Sequence, residues 1–499
     1  MHVYGIDFGT CSTCISLSGN VLCNNNGQQT TPSVAELSSV NIPYFKRLIG
    51  VSYPEFCNDA PLQKFFQQFE PAFFVTSHPQ EHSLAIYIPQ INSYFTIHQI
   101  LTTFLSTFLN SVPQLPFDQN TRPINAVITV PAHFTPIGRD AVKNAFEQVG
   151  VTVLKIVNEP TAAIYSVADS INSITNVCVL DCGGGTTDIS IIDTSNGVFT
   201  VLDTWGDRFL GGNDLTSAIL QYVNNKTSRG SLEECIVAKH QLSTSFNATI
   251  ETPDGDVVIS RAKFVDITHS FWNIIKNALD QFYHLYNFKT VLLVGGTTKT
   301  PHFKTILSSV CPSAHVFTCP NPTTAVSLGA SLYAESIFSN AHDDTVLIDI
   351  LGYNLGIELD GGIMCPIISK LSSLPVSRSR EFTNSTLDSS EISINIYAGE
   401  RRLVNDNHFL TTCTLHYPQS ELNTIFQSGT LRILVTFSVD TNGMLNVIAK
   451  DKSDQSIIVS ATNISLGSIS NASVDRNDDD DVDDMDLKML DSKMMQTII

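Results

Sequence analysis

Apolar and polar positions fall into blocks along the chain, and one block occurs twice. Val3, Tyr4 and Ile6 lead into Asp7, Gly9 and Thr10, and a returning alternation leaves through Ile15 and Leu17. The pattern recurs where Val177, Val179 and Leu180 run into Asp181, Gly183, Gly184, Gly185, Thr186, Thr187 and Asp188, leaving through Ile189 and Ile191. Laid over one another, Asp7 falls on Asp181 and Gly9 on Gly183. Each copy reads as a buried strand, a glycine turn and a returning strand, and the repetition predicts two similar lobes.

Between and after the copies the period changes. Residues 126–130 predict a strand stopped by Pro131. Thr135 and Pro136 then suit an N-cap and first helical position, with Ala141, Val142, Ala145, Phe146 and Val149 on one face and Gly150 past the end. A strand over 151–157 delivers Asn158, Glu159 and Pro160 to another helix. Helical spacing also covers 97–109, 232–242, 271–285 and 325–337, and 290–294 is a strand ending in Gly295-Gly296. Such alternation of strands and helices predicts an α/β domain. From Gly356 the helical periods stop, 392–397 and 435–439 alternate like half-buried strands, and Asn442-Gly443 marks a hairpin. The expected organisation is an α/β domain over 1–342, a linker over 343–350, an all-β domain over 351–463 and a tail over 464–499.

Composition narrows the partners. The 499 residues carry 28 Lys+Arg against 48 Asp+Glu, a formal charge of −20 that repels nucleic acid and anionic membranes. No apolar run approaches the ~18 residues of a span, and no secretory signal precedes Val3. The 11 cysteines are odd in number and scattered, which suits reduced thiols and a cytoplasmic setting. Cys11 and Cys14 form a CxxC without a second pair, so both read as ordinary hairpin side chains. The acidic run around Asp478–Asp481 is expected to be disordered.

The candidate chemistry lies at the glycine turns. Glycines let backbone N–H groups approach an anion, Thr186 adds a hydroxyl and Asp181 suits a Mg²⁺ held through water. A plain glycine-rich turn is the alternative. Gly211-Gly212 before a helix and Gly295-Gly296 at a strand's end add two further turns where such sheets bind ligands.

These stretches resemble the heat shock protein 70 chaperones over nearly all of residues 3–462. The matching motifs are GIDFGT (5–10), KRLIG (46–50), VPAHF (130–134), NEPTAA (158–163), DCGGGTTD (181–188), LGGND (210–214), LVGGTTKTP (293–301), LGIELDGG (355–362), YAGER (397–401) and VTFSVDTNG (435–443). The resemblance implies an actin-like, duplicated ATPase domain, a linker and a β-sandwich that grips extended hydrophobic peptide. It implies ATP/ADP, Mg²⁺ and K⁺ as cofactors. Unfolded or nascent polypeptides and a J-domain co-chaperone would be the partners. By the same resemblance Gly9, Thr10, Cys11, Gly183, Gly184, Gly185 and Thr186 would hold phosphates, with Gly211, Gly212, Gly295 and Gly296 completing the nucleotide cradle. Asp7, Asp181 and Asp188 would serve the metal, Glu159 would complete the ion's surroundings, and Lys46 would orient the attacking water. Pro131 and Arg139 fall on the family's interdomain relay. Ile357, Phe382, Ile392, Ile394 and Ile396 match the lining of the peptide cleft.

The departures are specific. Ile236 replaces a ribose-binding Glu, and His240 and Lys299 replace two arginines that sandwich adenine, while Lys239 and Ser243 are retained. Cys11 replaces a Thr, and Asp360 stands where an apolar arch residue belongs. Outer segments are short and no helical lid is read after the β domain, as in short ribosome-associated members that often do not hydrolyse ATP. Three functions follow: an ATP-driven chaperone, a non-hydrolysing regulatory subunit with a J-domain partner at the ribosome, and a sugar kinase. The last is disfavoured by the linker and β domain.

Overall fold

The computed structural model describes residues 2–115, 124–168, 176–194, 198–227, 229–338, 346–384, 391–416, 432–451, 458–462 and 496–498. The chain divides into two compact units, one of Met1–Ile49, Ile97–Phe134 and Val142–Ile350, the other of Gly50–Thr96, Thr135–Ala141 and Leu351–Ile499.

The first unit holds two six-stranded sheets built alike. In one, the hairpin Val3–Phe8 and Ser12–Leu17 is followed outward by the parallel strands Ile124–Val130 and Val151–Asn158. In the other, the hairpin Val177–Cys182 and Thr187–Asp193 is followed by the parallel strands Thr290–Val294 and His315–Thr318. The inner parallel strands Ile124–Val130 and Thr290–Val294 are buried almost throughout, which is why they read as near-continuous apolar runs. Helix Ala325–Phe338 lies close against the first sheet and against helix Glu159–Tyr165. A Cβ at Gly329 would meet the Ala162 carbonyl oxygen at 1.8 Å, so only glycine allows that approach.

The helix expected after Thr135 spans Pro136–Gln148, and the Thr135 hydroxyl accepts from the Gly138 N–H at 3.2 Å. Helices Ile97–Asn110, Leu232–Thr244 and His269–Tyr286 also fall where the periodicity put them. In the apolar run before Gly356, Val346–Ile348 adds a parallel strand to Val198–Thr200, at the edge of the second sheet. Ile350 is buried, and the buried Asp349 accepts from the Thr161 hydroxyl at 2.8 Å.

The second unit contains a four-stranded sheet ordered Ile363–Ile368, Asn354–Leu359, Glu391–Gly399, His408–His416. Its five-stranded companion is ordered Ile458–Thr462, Leu445–Asp451, Ile433–Val439, Val376–Asn384, Gln496–Ile498. Alternate residues of both sheets share one core that includes Leu355, Leu415, Val435 and Phe437. The Asn442-Gly443 turn joins Ile433–Val439 to Leu445–Asp451 with Gly443 at φ +76°. Ile137 belongs to the same apolar cluster, and Arg139 donates to the Asn442 carbonyl at 3.4 Å.

Two features lie outside the elements read from sequence. Outside the helix at 97–109, the stretch 61–120 reads as Pro-punctuated loop, yet Phe74–Ser77, Leu84–Ile88 and Ser93–Thr96 form a three-stranded sheet. Strands of four or five residues are too short for period two to declare itself. Gln496–Ile498 falls within the stretch expected as a disordered tail but forms a strand, because a sheet edge supplies the backbone partners that composition does not reveal. The acidic run itself lies outside the described residues.

Candidate functional site

The two hairpin tips meet. A Cβ on Gly184 would lie 2.5 Å from Cys11 Sγ, and one on Gly185 would lie 2.9 Å from Thr10 Cγ2. The second tip is braced from behind, where Gly212 N–H donates to the Gly183 carbonyl at 3.0 Å and Asn213 N–H to the Gly184 carbonyl at 2.8 Å. Gly211 has no room for a side chain there, since its Cβ would approach the Gly184 oxygen to 2.6 Å. Lys239 Nζ donates to the Gly212 carbonyl at 2.8 Å, tying helix Leu232–Thr244 to the turn. With these carbonyls engaged, the tips are held in one shape before any ligand arrives.

Three braces were not assigned from sequence, although each lies in a motif already quoted. Arg47 Nη2 donates to the Gly185 carbonyl at 2.7 Å and its guanidinium stacks 4.9 Å from the Phe209 ring centre. Thr297 Oγ1 donates to the Gly183 carbonyl at 2.8 Å, and Asn213 Nδ2 donates to Cys11 Sγ at 3.3 Å. Cys14 turns elsewhere, donating to the Gln29 carbonyl at 3.0 Å, so the CxxC sulfurs serve different neighbours.

Four carboxylates and one ammonium make the electrostatics. Lys46 is 3% exposed, donates to Glu159 Oε1 at 2.8 Å and to the Phe8 carbonyl, and lies 5.1 Å from the Phe8 ring centre. Asp181 and Asp188 face each other across the second hairpin, and Asp7 accepts from the Thr129 hydroxyl at 3.1 Å. Burial and the Glu159 charge push Asp7 up to about 7 and Asp188 up to about 8, against relief from Lys46. Asp181 is raised well above its ordinary value by burial and by Glu159, Asp188 and Asp7. Such a cluster favours a cation. Among the described residues no three His, Cys, Asp or Glu side chains converge closely enough to ligate one directly.

The carboxylates open into a cavity of about 850 Å³. Asp7, Gly9, Thr10, Cys11, Glu159, Asp181, Gly183, Gly184, Gly185 and Thr186 line it. Ile236, Lys239, His240, Ser243, Gly295, Gly296 and Lys299 line it as well. Lys46, Asp188, Gly211 and Gly212 stand behind these walls through the contacts above. Burial and the charges of Lys239 and Lys299 lower the His240 pKa, so its ring is neutral at pH 7.

The Hsp70 protein family model matches residues 38–495. The chain belongs to the Hsp70 family. The Hsp70 relatives include the "Chaperone protein DnaK" of Mycoplasmoides gallisepticum, 30% identical over 92% of this chain and 80% of that protein. Another is the "Mitochondrial-type heat shock protein 70" of Encephalitozoon hellem, 29% identical over 90% of this chain and 81% of that protein. Membership makes this an ATP-binding chaperone, in a family that binds nucleotide with Mg²⁺ and engages unfolded polypeptides and co-chaperones.

Among the residues that the Hsp70 resemblance assigned to peptide, Ile357, Phe382, Ile392, Ile394 and Ile396 come together in the sandwich core and are all buried. Asp360 lies exposed in the turn between Asn354–Leu359 and Ile363–Ile368. Among the described residues no helix is long and apolar enough to cross a membrane. All 11 cysteines are free thiols.

Proposed function

We propose that the first unit binds ATP across its two hairpins and hydrolyses it slowly, and that its nucleotide state sets how tightly the sandwich holds extended apolar peptide. The observation that carries this reading is Lys46, a buried ammonium 2.8 Å from Glu159, which lines the cavity. Phosphoryl transfer needs positioning and charge neutralisation more than covalent help. The backbone around Gly9, Thr10, Cys11 and Gly183–Gly185, with the Thr186 hydroxyl, holds the phosphate chain. Asp7 and Asp181 would hold Mg²⁺, and Asp188 and Glu159 would complete the surroundings of that ion and of K⁺. The bound Mg²⁺ supplies charge neutralisation on the phosphoryl oxygens. Lys46 orients the attacking water, and its bond to Glu159 holds the ammonium in place. Lys239, His240, Ser243 and Lys299, with Gly295 and Gly296, take the adenosine end.

On this reading the client docks beside the strands that carry Ile357, Phe382, Ile392, Ile394 and Ile396, whose side chains are buried in the sandwich core, and a J-domain co-chaperone stimulates turnover. Single-turnover hydrolysis of ATP, followed together with release of a fluorescent apolar peptide, tests it. Hydrolysis coupled to a change in peptide release is expected. Peptide kinetics indifferent to nucleotide would reject the coupling.

A second reading is a nucleotide-binding but non-hydrolysing regulatory subunit acting with a J-domain partner at the ribosome. It is favoured by Ile236 and the neutral His240 in the wall of the cavity, which weaken the grip on adenosine. ATP that stays intact through many hours on the purified chain would select it.

A further inference from the structure

We propose that the segment Gln496–Ile498 is a competitor carried by the chain itself, occupying the sandwich edge where client peptide would bind. The proposal rests on the reading of that edge as the client cleft. Strand Val376–Asn384 pairs on one side with Ile433–Val439, from Val376 to Phe382. On its other side Phe382, Thr383 and Asn384 pair in parallel with Gln496, Thr497 and Ile498. The added strand also runs beside Asn354–Leu359 of the opposite sheet. It therefore lies in the seam between the sheets, next to the strands that carry Phe382 and Ile357.

The sequence of the segment fits an occupant of that kind. Residues 478–486 include seven aspartates, yet MMQTII over 494–499 has no charged residue and four Met or Ile out of six. Main-chain pairing to an exposed sheet edge is a general mode of peptide recognition, in which extended apolar segments of this composition are favoured. Length permits it within one molecule: the 33 residues from Asn463 to Met495 reach roughly 110 Å when extended. A tethered segment competes at an effective concentration on the order of 1 mM. If it binds at about 0.1 mM, it lowers the apparent affinity for an outside peptide about ten-fold.

A merely structural cap on a vulnerable edge would look the same in the fold but would not exchange with peptide. The test compares the full chain, the chain ending at Lys493, and Thr497→Pro, which removes a backbone donor and blocks strand pairing. Amide hydrogen exchange is read at Phe382–Asn384, and binding is measured with fluorescein-labelled KMMQTII and with an unrelated labelled leucine- and valine-rich peptide. In both variants, exchange at 382–384 at least ten-fold faster is expected, with KMMQTII binding about ten-fold tighter than to the full chain. KMMQTII binding in that pattern while the unrelated peptide binds none of the chains would uphold self-docking and reject the client reading. Unchanged exchange, with KMMQTII binding all three chains alike, would overturn the proposal. Protection at 382–384 that grows with protein concentration would also overturn it, assigning the edge to the segment of a second copy.

Discussion

Replacing Lys46 by alanine separates the catalytic reading of the site from a structural one. The ammonium is buried and 2.8 Å from Glu159. At that distance the Coulomb attraction is about 6 kcal/mol for an effective dielectric constant of 20, a gross figure before desolvation. Removing one partner of a buried pair costs about 3–5 kcal/mol, because the other charge is left uncompensated. Here the abandoned Glu159 charge also acts on Asp7, Asp181 and Asp188, which are already pushed towards their protonated forms. Lys46→Ala should therefore lower the stability of the nucleotide-free protein by a few kcal/mol, with part of the loss recovered when Mg²⁺ and ATP are added. Losing the charge that orients the attacking group should add about 2.7–4 kcal/mol to the barrier, or roughly 10²–10³ in rate. The assay is single-turnover hydrolysis of radiolabelled ATP, at nucleotide concentrations shown by calorimetry to saturate each variant, with urea unfolding in parallel. Turnover within three-fold of the parent, alongside the expected loss of stability, would show that the lysine supports the fold and not the reaction.

Other outcomes follow from the same geometry. Asp7 and Asp188 sit near 7 and 8 when folded and near 3.8 when unfolded, so the nucleotide-free fold keeps protons that the unfolded chain has released. Its stability should fall as pH rises from about 4 to 8, and Mg²⁺ with ATP should stabilise more at pH 8.5 than at pH 6 in urea titrations, by on the order of 1 kcal/mol or more. Equal stabilisation at both would argue that the ion does not meet these carboxylates. His240→Arg with Lys299→Arg should tighten ATP about ten-fold in calorimetry by restoring planar stacking partners, and an unchanged Kd would place the base elsewhere. Arg47→Ala should release the Gly185 carbonyl and weaken ATP binding about ten-fold without changing its adenine preference, checked against GTP. Ile350→Asp should undock the strand Val346–Ile348 at a cost of roughly 2–3 kcal/mol, seen as rapid proteolysis there in both ATP and ADP; protection that still differed between the nucleotides would refute it.

The hairpins were legible because their chemistry is local: strand, acid, glycine and threonine occur within about fifteen residues, and repetition confirmed the pattern. Arg47, Thr297 and Asn213 were not, since each matters through a partner 138, 114 or 202 residues away in the chain. Nothing in KRLIG distinguishes an arginine that holds a backbone carbonyl from one that is solvated. The small sheet within residues 74–96 was hidden by strand length, and the strand at Gln496–Ile498 by an acidic neighbourhood. Ile392, Ile394 and Ile396 were legible as alternating isoleucines, but alternation says only that one face is buried. Their place at a seam between two sheets depends on a register that no single strand encodes.

The two hairpins share one register but differ in the residues it pairs. Asp7 lies opposite Cys14, whereas Asp181 lies opposite Asp188. A cradle with true two-fold symmetry would accept a chain of phosphates in either direction, and half of its encounters would be unproductive. With a neutral thiol on one arm and a second carboxylate on the other, the cradle has a polarity that its backbone lacks. Cys14→Asp would test how much of that polarity this one pair supplies.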